Sequence, residues 1–255
     1  MEIKVLGCYG AEMPGFKTSC FMVNDSTVID AGAITSTLTP AEQKGIRNIL
    51  VTHSHLDHIK DIPLLADNII GSNPGKVNII SSGEIIAILK EHLFNNRIWP
   101  DFSKIPTAED SVITFKEVEA GKPFQVNGAS ITAIEVNHVV PTLGYVITEN
   151  GSSVAILGDT RETDKIWQVL NETDNLKGIF IETSFPNDME ELAKVSGHLT
   201  PEMLAQELKK LKDKTDTRIY VYHMKPNFLD ILKDELAALD NSNISILDLN
   251  QTFIF

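Results

Sequence analysis

The chain has 255 residues, of which 42% are hydrophobic and 22% charged. That is enough to bury a substantial core without a disulfide scaffold, and no apolar run approaches the roughly 18 residues that span a bilayer. Asp and Glu number 35 against 22 Lys and Arg, a net charge of −13, which disfavours a broad cationic face for RNA or DNA.

From the amino terminus, residues 2–7, 19–23, 26–30 and 48–52 read as strands. Each is a short run rich in Val, Ile or Phe, punctuated by Gly, Pro, Asn or Asp. The opening segment lacks the basic start, long apolar stretch and cleavage site of a secretory signal, so the expected compartment is the cytoplasm. Cys8 and Cys20 are accordingly expected as reduced, partly buried thiols. A helix over 57–69 must kink or break to accommodate Pro63. A clearer helix covers 83–94, and residues 95–110 lose periodicity.

Further strands are predicted at 112–116, 130–136, 144–148, 153–158 and 178–182. Helical spacing marks Glu162–Leu170, Pro201–Leu211 and Phe228–Leu239, with Thr200 as N-cap and Pro201 at the first helical position of the second. Residues 218–221 and 244–247 read as short buried strands. Strands followed by helices, twice over, suit an α/β fold in which two sheets pack face to face with helices outside, as one domain over residues 1–255.

The chemistry is densest where the strand Asn48-Ile-Leu-Val-Thr ends in His53-Ser-His55-Leu-Asp57-His58. Extended backbone puts His53 and His55 on one side, and a turn into the next helix brings Asp57 and His58 to a neighbouring point, giving two adjacent metal positions. Imidazole and carboxylate without thiolate suit Zn²⁺ first, with Mn²⁺ or Fe²⁺ as alternatives.

This stretch resembles the HxHxDH motif of the metallo-β-lactamase superfamily. The resemblance implies an αββα sandwich, two mixed sheets flanked by helices, with a dinuclear site at the sheet edge and further ligands at later strand ends. His138, Asp159 and His223 occur there in order. By that resemblance His53, His55 and His138 hold one ion, Asp57, His58 and His223 hold the other, and Asp159 bridges them. Asp30 matches a position that orients a ligand histidine, or is simply a strand-end turn residue. No cysteine stands at a ligand position, which departs from thiolate-using lactamases, and the Asp bridge looks like the phosphodiesterase and nuclease branches. His55 stands where di-iron redox members carry Glu.

In those branches a strand-end Glu pairs with a His that protonates the leaving alkoxide; Glu182 and His198 match the two positions. With Asp57 they form the expected catalytic group. Two divalent ions, two ligand carboxylates and a hydroxide leave about one positive charge, which matches a phosphodiester monoanion.

Four segments narrow the likeness to the class II 3′,5′-cyclic-nucleotide phosphodiesterases. They are His53 to Leu65, His92 to Phe102, Glu182-Thr-Ser-Phe-Pro-Asn187 and Gly197-His-Leu-Thr-Pro201. The resemblance implies hydrolysis of cyclic AMP or cyclic GMP to the 5′-nucleotide: a hydroxide between the metals attacks phosphorus, and the 3′-oxygen leaves protonated by His198. Phe94, Trp99 and Phe102 are then candidates to stack on the base, at about 1–3 kcal/mol each, or else form a flap over the core or a dimer contact. Lys225 is a candidate phosphate contact. A tRNA 3′-processing endonuclease shares the motifs, but the chain carries no extruded arm or basic run; a thioester or lactone hydrolase gains less from the charge balance. The expected partner is a small cyclic nucleotide, without nucleic acid or membrane, and a homodimer is left open.

Overall fold

The computed structural model describes residues 1–72, 75–212 and 216–255. The first half contributes strands β1 (Glu2–Gly7), β2 (Cys20–Val23), β3 (Thr27–Ile29), β4 (Asn48–Leu50), β5 (Val77–Ser81) and β6 (Ile113–Glu117). The second contributes β7 (Pro123–Val126), β8 (Ala129–Val136), β9 (Thr142–Glu149), β10 (Ser152–Ile156), β11 (Leu176–Glu182), β12 (Arg218–Tyr222) and β13 (Ile244–Ile246), and β14 (Thr252–Ile254) ends the series.

One sheet runs β14-β1-β2-β3-β4-β5-β6 and the other β13-β12-β11-β10-β9-β8-β7. In the first, pairings from β14 to β3 are antiparallel and those from β3 to β6 parallel. The second repeats the scheme, antiparallel from β7 to β10 and parallel from β10 to β13. Two similar halves are therefore present, and β14 crosses from the second to complete the sheet of the first.

The helices are α1 (Ile34–Thr37), α2 (Pro40–Gln43), α3 (Leu56–Ile59), α4 (Asp61–Ile69), α5 (Gly83–Ile88), α6 (Lys165–Glu172), α7 (Glu190–Ser196), α8 (Pro201–Leu208) and α9 (Leu229–Ala238). Strand periodicity assigns the two faces of the second sheet. Tyr145 and Ile147 of β9, Val154 and Ile156 of β10, Phe180 of β11 and Tyr220 and Tyr222 of β12 point to the core shared with the first sheet. Their neighbours Val146, Ala155, Ile179, Ile181, Ile219 and Val221 pack instead with Ile166 and Trp167 of α6, Leu204 of α8 and Leu232 of α9. A strand covered on both faces needs apolar residues at nearly every position, which is why these segments are conspicuous in the sequence.

Several elements differ from the sequence reading. The helix over 57–69 divides at Lys60, and Pro63 falls in the first turn of α4, where its missing N–H leaves no helical bond unmade. The helix over 83–94 stops as α-helix at Ile88 and widens into a π turn over Leu89–Leu93. Residues 244–247 were expected as a buried strand, but β13 is the edge of its sheet and half-exposed. Strands β5, β7 and β14 and helices α1, α2 and α7 were not anticipated. β7 opens with Pro123, which argues against a central strand and is tolerated because β7 is an edge. Cys8 and Cys20 are free thiols, and both are fully buried where partial burial was expected. Among the described residues no helix is long and apolar enough to cross a membrane.

Phe180 joins the two sheets. Its ring, fully buried, lies 5.6 Å from Phe21 of the first sheet, 4.7 Å from Tyr220 and 6.0 Å from Phe253. Phe180→Ala should lower the unfolding free energy by about 3–5 kcal/mol, read as an earlier denaturant midpoint at unchanged slope. A midpoint at the parent value would contradict a core shared through this ring.

Candidate metal centre

The polar residues singled out in the sequence emerge at the carboxyl ends of strands, the place where open α/β sheets bind ligands. β3 leads into Asp30, β4 into His53, β8 into His138, β10 into Asp159, β11 ends on Glu182, and β12 leads into His223. Asp57 and His58 lie in α3 with His55 at its N-cap. Asp30 (φ 58°) and His223 (φ 63°) both adopt left-handed backbone. His223 is the one such residue besides Asn, Asp and Gly among those described, and conformations of this kind cluster at functional sites. The amino-terminal segment holds it there: His223 N–H donates to the Cys8 carbonyl at 2.7 Å and Gly10 N–H to the Met224 carbonyl at 3.1 Å. Gly10 has to be glycine for this approach, because a Cβ would come within 2.3 Å of the His223 carbonyl oxygen.

All seven expected ligands are brought together. His53, His55, His138 and Asp159 form one group with ligand atoms within 4.8 Å of one another, and Asp57, His58 and His223 form another. Asp159 Oδ2 stands between them, 3.6 Å from His53 Nε2 and 3.4 Å from both His58 Nε2 and His223 Nε2. His55 Nδ1 and His138 Nε2 are 3.2 Å apart, and His223 Nε2 is 3.3 Å from Asp57 Oδ2. Two buried atoms at the middle, His53 Nε2 and Asp159 Oδ1, have no hydrogen-bond partner. Orphaned acceptors at the focus of imidazole and carboxylate groups, with no thiolate, fit divalent cations.

The far ring nitrogens are held so that the near ones face inward. His58 Nδ1 donates to Asp30 Oδ2 at 2.7 Å, so Asp30 takes the orienting place expected of it. His138 Nδ1 donates to the Gly197 carbonyl at 2.8 Å. Thr52 Oγ1, which donates to Asp30 Oδ2 at 2.8 Å, accepts from His53 Nδ1 at 3.0 Å. His223 Nδ1 meets Ser184 Oγ at 2.9 Å. Thr52, Ser184 and Gly197 were not picked out from the sequence as orienting residues, and only their neighbours in the motifs could have drawn attention to them.

The electrostatics ask for positive charge. Burial opposes a charged His58, but Asp159, Asp30 and Asp57 outweigh it and hold the imidazole well above its ordinary range. Burial, reinforced by His58, pushes neighbouring His53 well below. Burial also opposes an ionised Asp159, yet His223, His58 and His53 keep its carboxyl well below the usual carboxylate range.

Glu182 and His198 lie beside this cluster. His198 Nδ1 donates to Glu182 Oε1 at 2.7 Å and is 4.0 Å from Asp159 Oδ2. Glu182, wholly buried, also accepts from Thr160 N–H at 3.2 Å and Ser184 Oγ at 2.9 Å. Burial disfavours a charged His198, but Glu182 more than compensates and raises its pKa. α7 ends on Gly197 in left-handed conformation (φ 78°), which turns the chain so that His198 is presented before Thr200 caps α8. A Cβ on Gly197 would come within 2.7 Å of His138 Nδ1. Lys225 Nζ donates to the Gly10 carbonyl at 3.0 Å and lies over the Phe185 ring.

The aromatic segment is placed otherwise than a base-stacking role requires. Phe94 and Phe102 are each 3% exposed and packed in the core, with Phe94 edge-on to Phe115. Rings so covered offer no face to a base, so for these two the packing alternative is what the structure displays. Trp99 is half-buried against the same core.

Asp30→Asn keeps the left-handed backbone preference and the side-chain shape but exchanges one acceptor oxygen for a donor. It should weaken zinc binding by about 10–100-fold in a chelator-competition titration; unchanged affinity would contradict the orienting role of the His58–Asp30 contact.

The profile of the cAMP phosphodiesterases class-II matches residues 30–249. A probable 3′,5′-cyclic-nucleotide phosphodiesterase of Yersinia pestis is 27% identical over 297 aligned positions, covering 95% of this chain and 84% of that protein. A ribonuclease Z of Mycobacterium bovis is 31% identical over 149 positions, but covers 52% of this chain and 50% of that one. Among solved structures, unliganded yeast PDE1 superposes with a TM-score of 0.84 at 20% identity, covering 98% of each chain. The fold is that of the metallo-β-lactamases, and the chain belongs to the class-II cAMP phosphodiesterase family.

Proposed function

We propose that this chain hydrolyses 3′,5′-cyclic nucleotides, cyclic AMP or cyclic GMP, to 5′-nucleotides at the His/Asp cluster. The observation that carries the reading is the Glu182–His198 pair seated 4.0 Å from the shared carboxylate of Asp159. A bare metal cluster suits many reactions, whereas a buried acid pair beside it suits departure of a basic alkoxide, which needs a proton.

His53, His55 and His138 would hold one ion, Asp57, His58 and His223 the other, and Asp159 would touch both. The donor set favours Zn²⁺, with Mn²⁺ or Fe²⁺ as substitutes. Such ions acidify water toward neutrality and offset the charge of a phosphodiester. The chain's own residues do the rest. Glu182 fixes the His198 ring through Nδ1, leaving Nε2 to donate to the departing 3′-oxygen. The net charge of −13 is tolerable for a mononucleotide carrying one negative charge and poor for a long RNA.

One observation favours a second role for His198: its ligand atom lies within 4.8 Å of those of Asp159 and His223, so the ring is also within reach of an ion there. The two roles part in one variant. For a general acid, His198→Ala should retain two metals per chain while kcat for cyclic AMP falls by about 10²–10⁴. For a ligand, metal content falls with activity. Chromatography of products from the metal-loaded protein, with a chelator-treated control, tests the reaction itself: chelator-sensitive 5′-AMP or 5′-GMP is expected. No turnover of either cyclic nucleotide with two metals bound would overturn the substrate assignment and turn attention to a tRNA precursor.

A further inference from the structure

We propose that Ser184 is a positioning residue that ties the acid pair to the metal centre, its single hydroxyl joining His223 to Glu182 and, through Glu182, to His198. The inference rests on the reading of His198 as general acid and His223 as ligand given above.

Ser184 is fully buried two residues beyond the end of β11. Its Oγ lies 2.9 Å from Glu182 Oε2, 2.9 Å from His223 Nδ1, 3.3 Å from His198 Nδ1 and 3.2 Å from the His223 carbonyl oxygen. A hydroxyl has one proton and two lone pairs, so these contacts cannot all be equal. His223 turns Nε2 toward Asp57 and Asp159, so a neutral ring ligating through Nε2 carries its proton on Nδ1 and donates it to Ser184 Oγ. The hydroxyl proton then goes to an acceptor, and the carboxylate of Glu182 outcompetes the neutral carbonyl of His223 because charge-assisted bonds are roughly twice as strong. His198 Nδ1 has its stronger partner in Glu182 Oε1 at 2.7 Å. The result is one directed chain: His223 Nδ1–H to Ser184 Oγ, Ser184 O–H to Glu182 Oε2, with His198 Nδ1–H arriving on Glu182 Oε1.

Two consequences follow for the site. The tautomer of His223 and the orientation of Glu182 are set by the same atom, so the ligand and the acid are fixed relative to each other rather than separately. Glu182, a carboxylate with no exposed surface, accepts from His198 Nδ1, Thr160 N–H and, at 3.5 Å, Leu199 N–H as well as from Ser184, and Ser184 is the donor that also touches a ligand imidazole, that of His223. The backbone places Ser184 independently of its hydroxyl, since Ser184 N–H donates to the Leu199 carbonyl at 2.9 Å. Truncating the side chain therefore removes the link while leaving the strand end in place.

The test compares Ser184→Ala, Ser184→Thr and His198→Ala with the parent, each zinc-loaded. Two substrates are used: cyclic AMP, whose alkoxide leaving group needs a proton, and bis(4-nitrophenyl) phosphate, whose phenoxide leaves without one. Zinc content and zinc affinity by chelator competition are measured on the same samples. Ser184→Ala should keep two zinc ions at saturation but bind zinc about 10-fold more weakly. Its kcat for cyclic AMP should fall about 10–100-fold, with less than about 3-fold loss on the nitrophenyl diester. Ser184→Thr, which restores a hydroxyl, should recover most of both. Equal loss on the two substrates, or no recovery in the threonine variant, overturns the positioning role. If His198→Ala itself falls equally on both substrates, the acid reading has failed, and the Ser184 inference fails with it.

Discussion

Everything in this molecule that bears on function depends on one electrostatic constraint, a buried carboxylate caught between two sets of imidazoles. Asp159 is almost wholly buried, and the ring nitrogens of His53, His58 and His223 converge on its Oδ2 within 3.4–3.6 Å. Lone pairs aimed at one another in a low-dielectric interior repel unless a cation lies among them. Burial works against charge on both rings, but the carboxylates of Asp159, Asp30 and Asp57 override it at His58, while His58 reinforces it at His53, so the two imidazoles move in opposite directions. The surrounding hydrogen bonds from Asp30, Thr52, Gly197 and Ser184 keep the rings from turning away, so the fold maintains the arrangement rather than relaxing it.

The halves of the sandwich divide this task. The first supplies the compact motif from β4 and α3, where alternation and one turn suffice to place His53, His55, Asp57 and His58. The second supplies one residue from each of four strand ends, and these meet only because β8 to β12 lie side by side with their ends aligned. The amino-terminal segment then closes the ring by clamping His223 through Cys8 and Gly10. The acid pair is tied in from two directions: Gly197 joins His138 to the turn that carries His198, and Glu182 joins His198 to the strand end.

The sequence made the metal cluster legible because ligands are rare residue types in a fixed order, and it made the second sheet legible because strands buried on both faces are written in continuous apolar residues. It was less informative where meaning lies in backbone or in small side chains. Thr52, Ser184 and Gly197 are ordinary residues whose roles appear only once distant histidines are placed beside them. β7 and β14 are an edge strand opening with proline and a three-residue strand, too short or too irregular to announce themselves. Phe94 and Phe102 show the opposite error: aromatics in an aperiodic stretch resemble a ligand platform, yet the loop folds inward and spends those rings on packing. Irregular backbone in the sequence does not imply an open surface in the fold.

The most direct test of the account is anomalous X-ray scattering at the zinc edge from crystals of the zinc-loaded protein. The account predicts two peaks per chain, one ringed by His53, His55 and His138, the other by Asp57, His58 and His223, with the Asp159 carboxylate reaching both and His198 remaining on Glu182. A single peak, or an ion coordinated by His198 in place of these ligands, would contradict it.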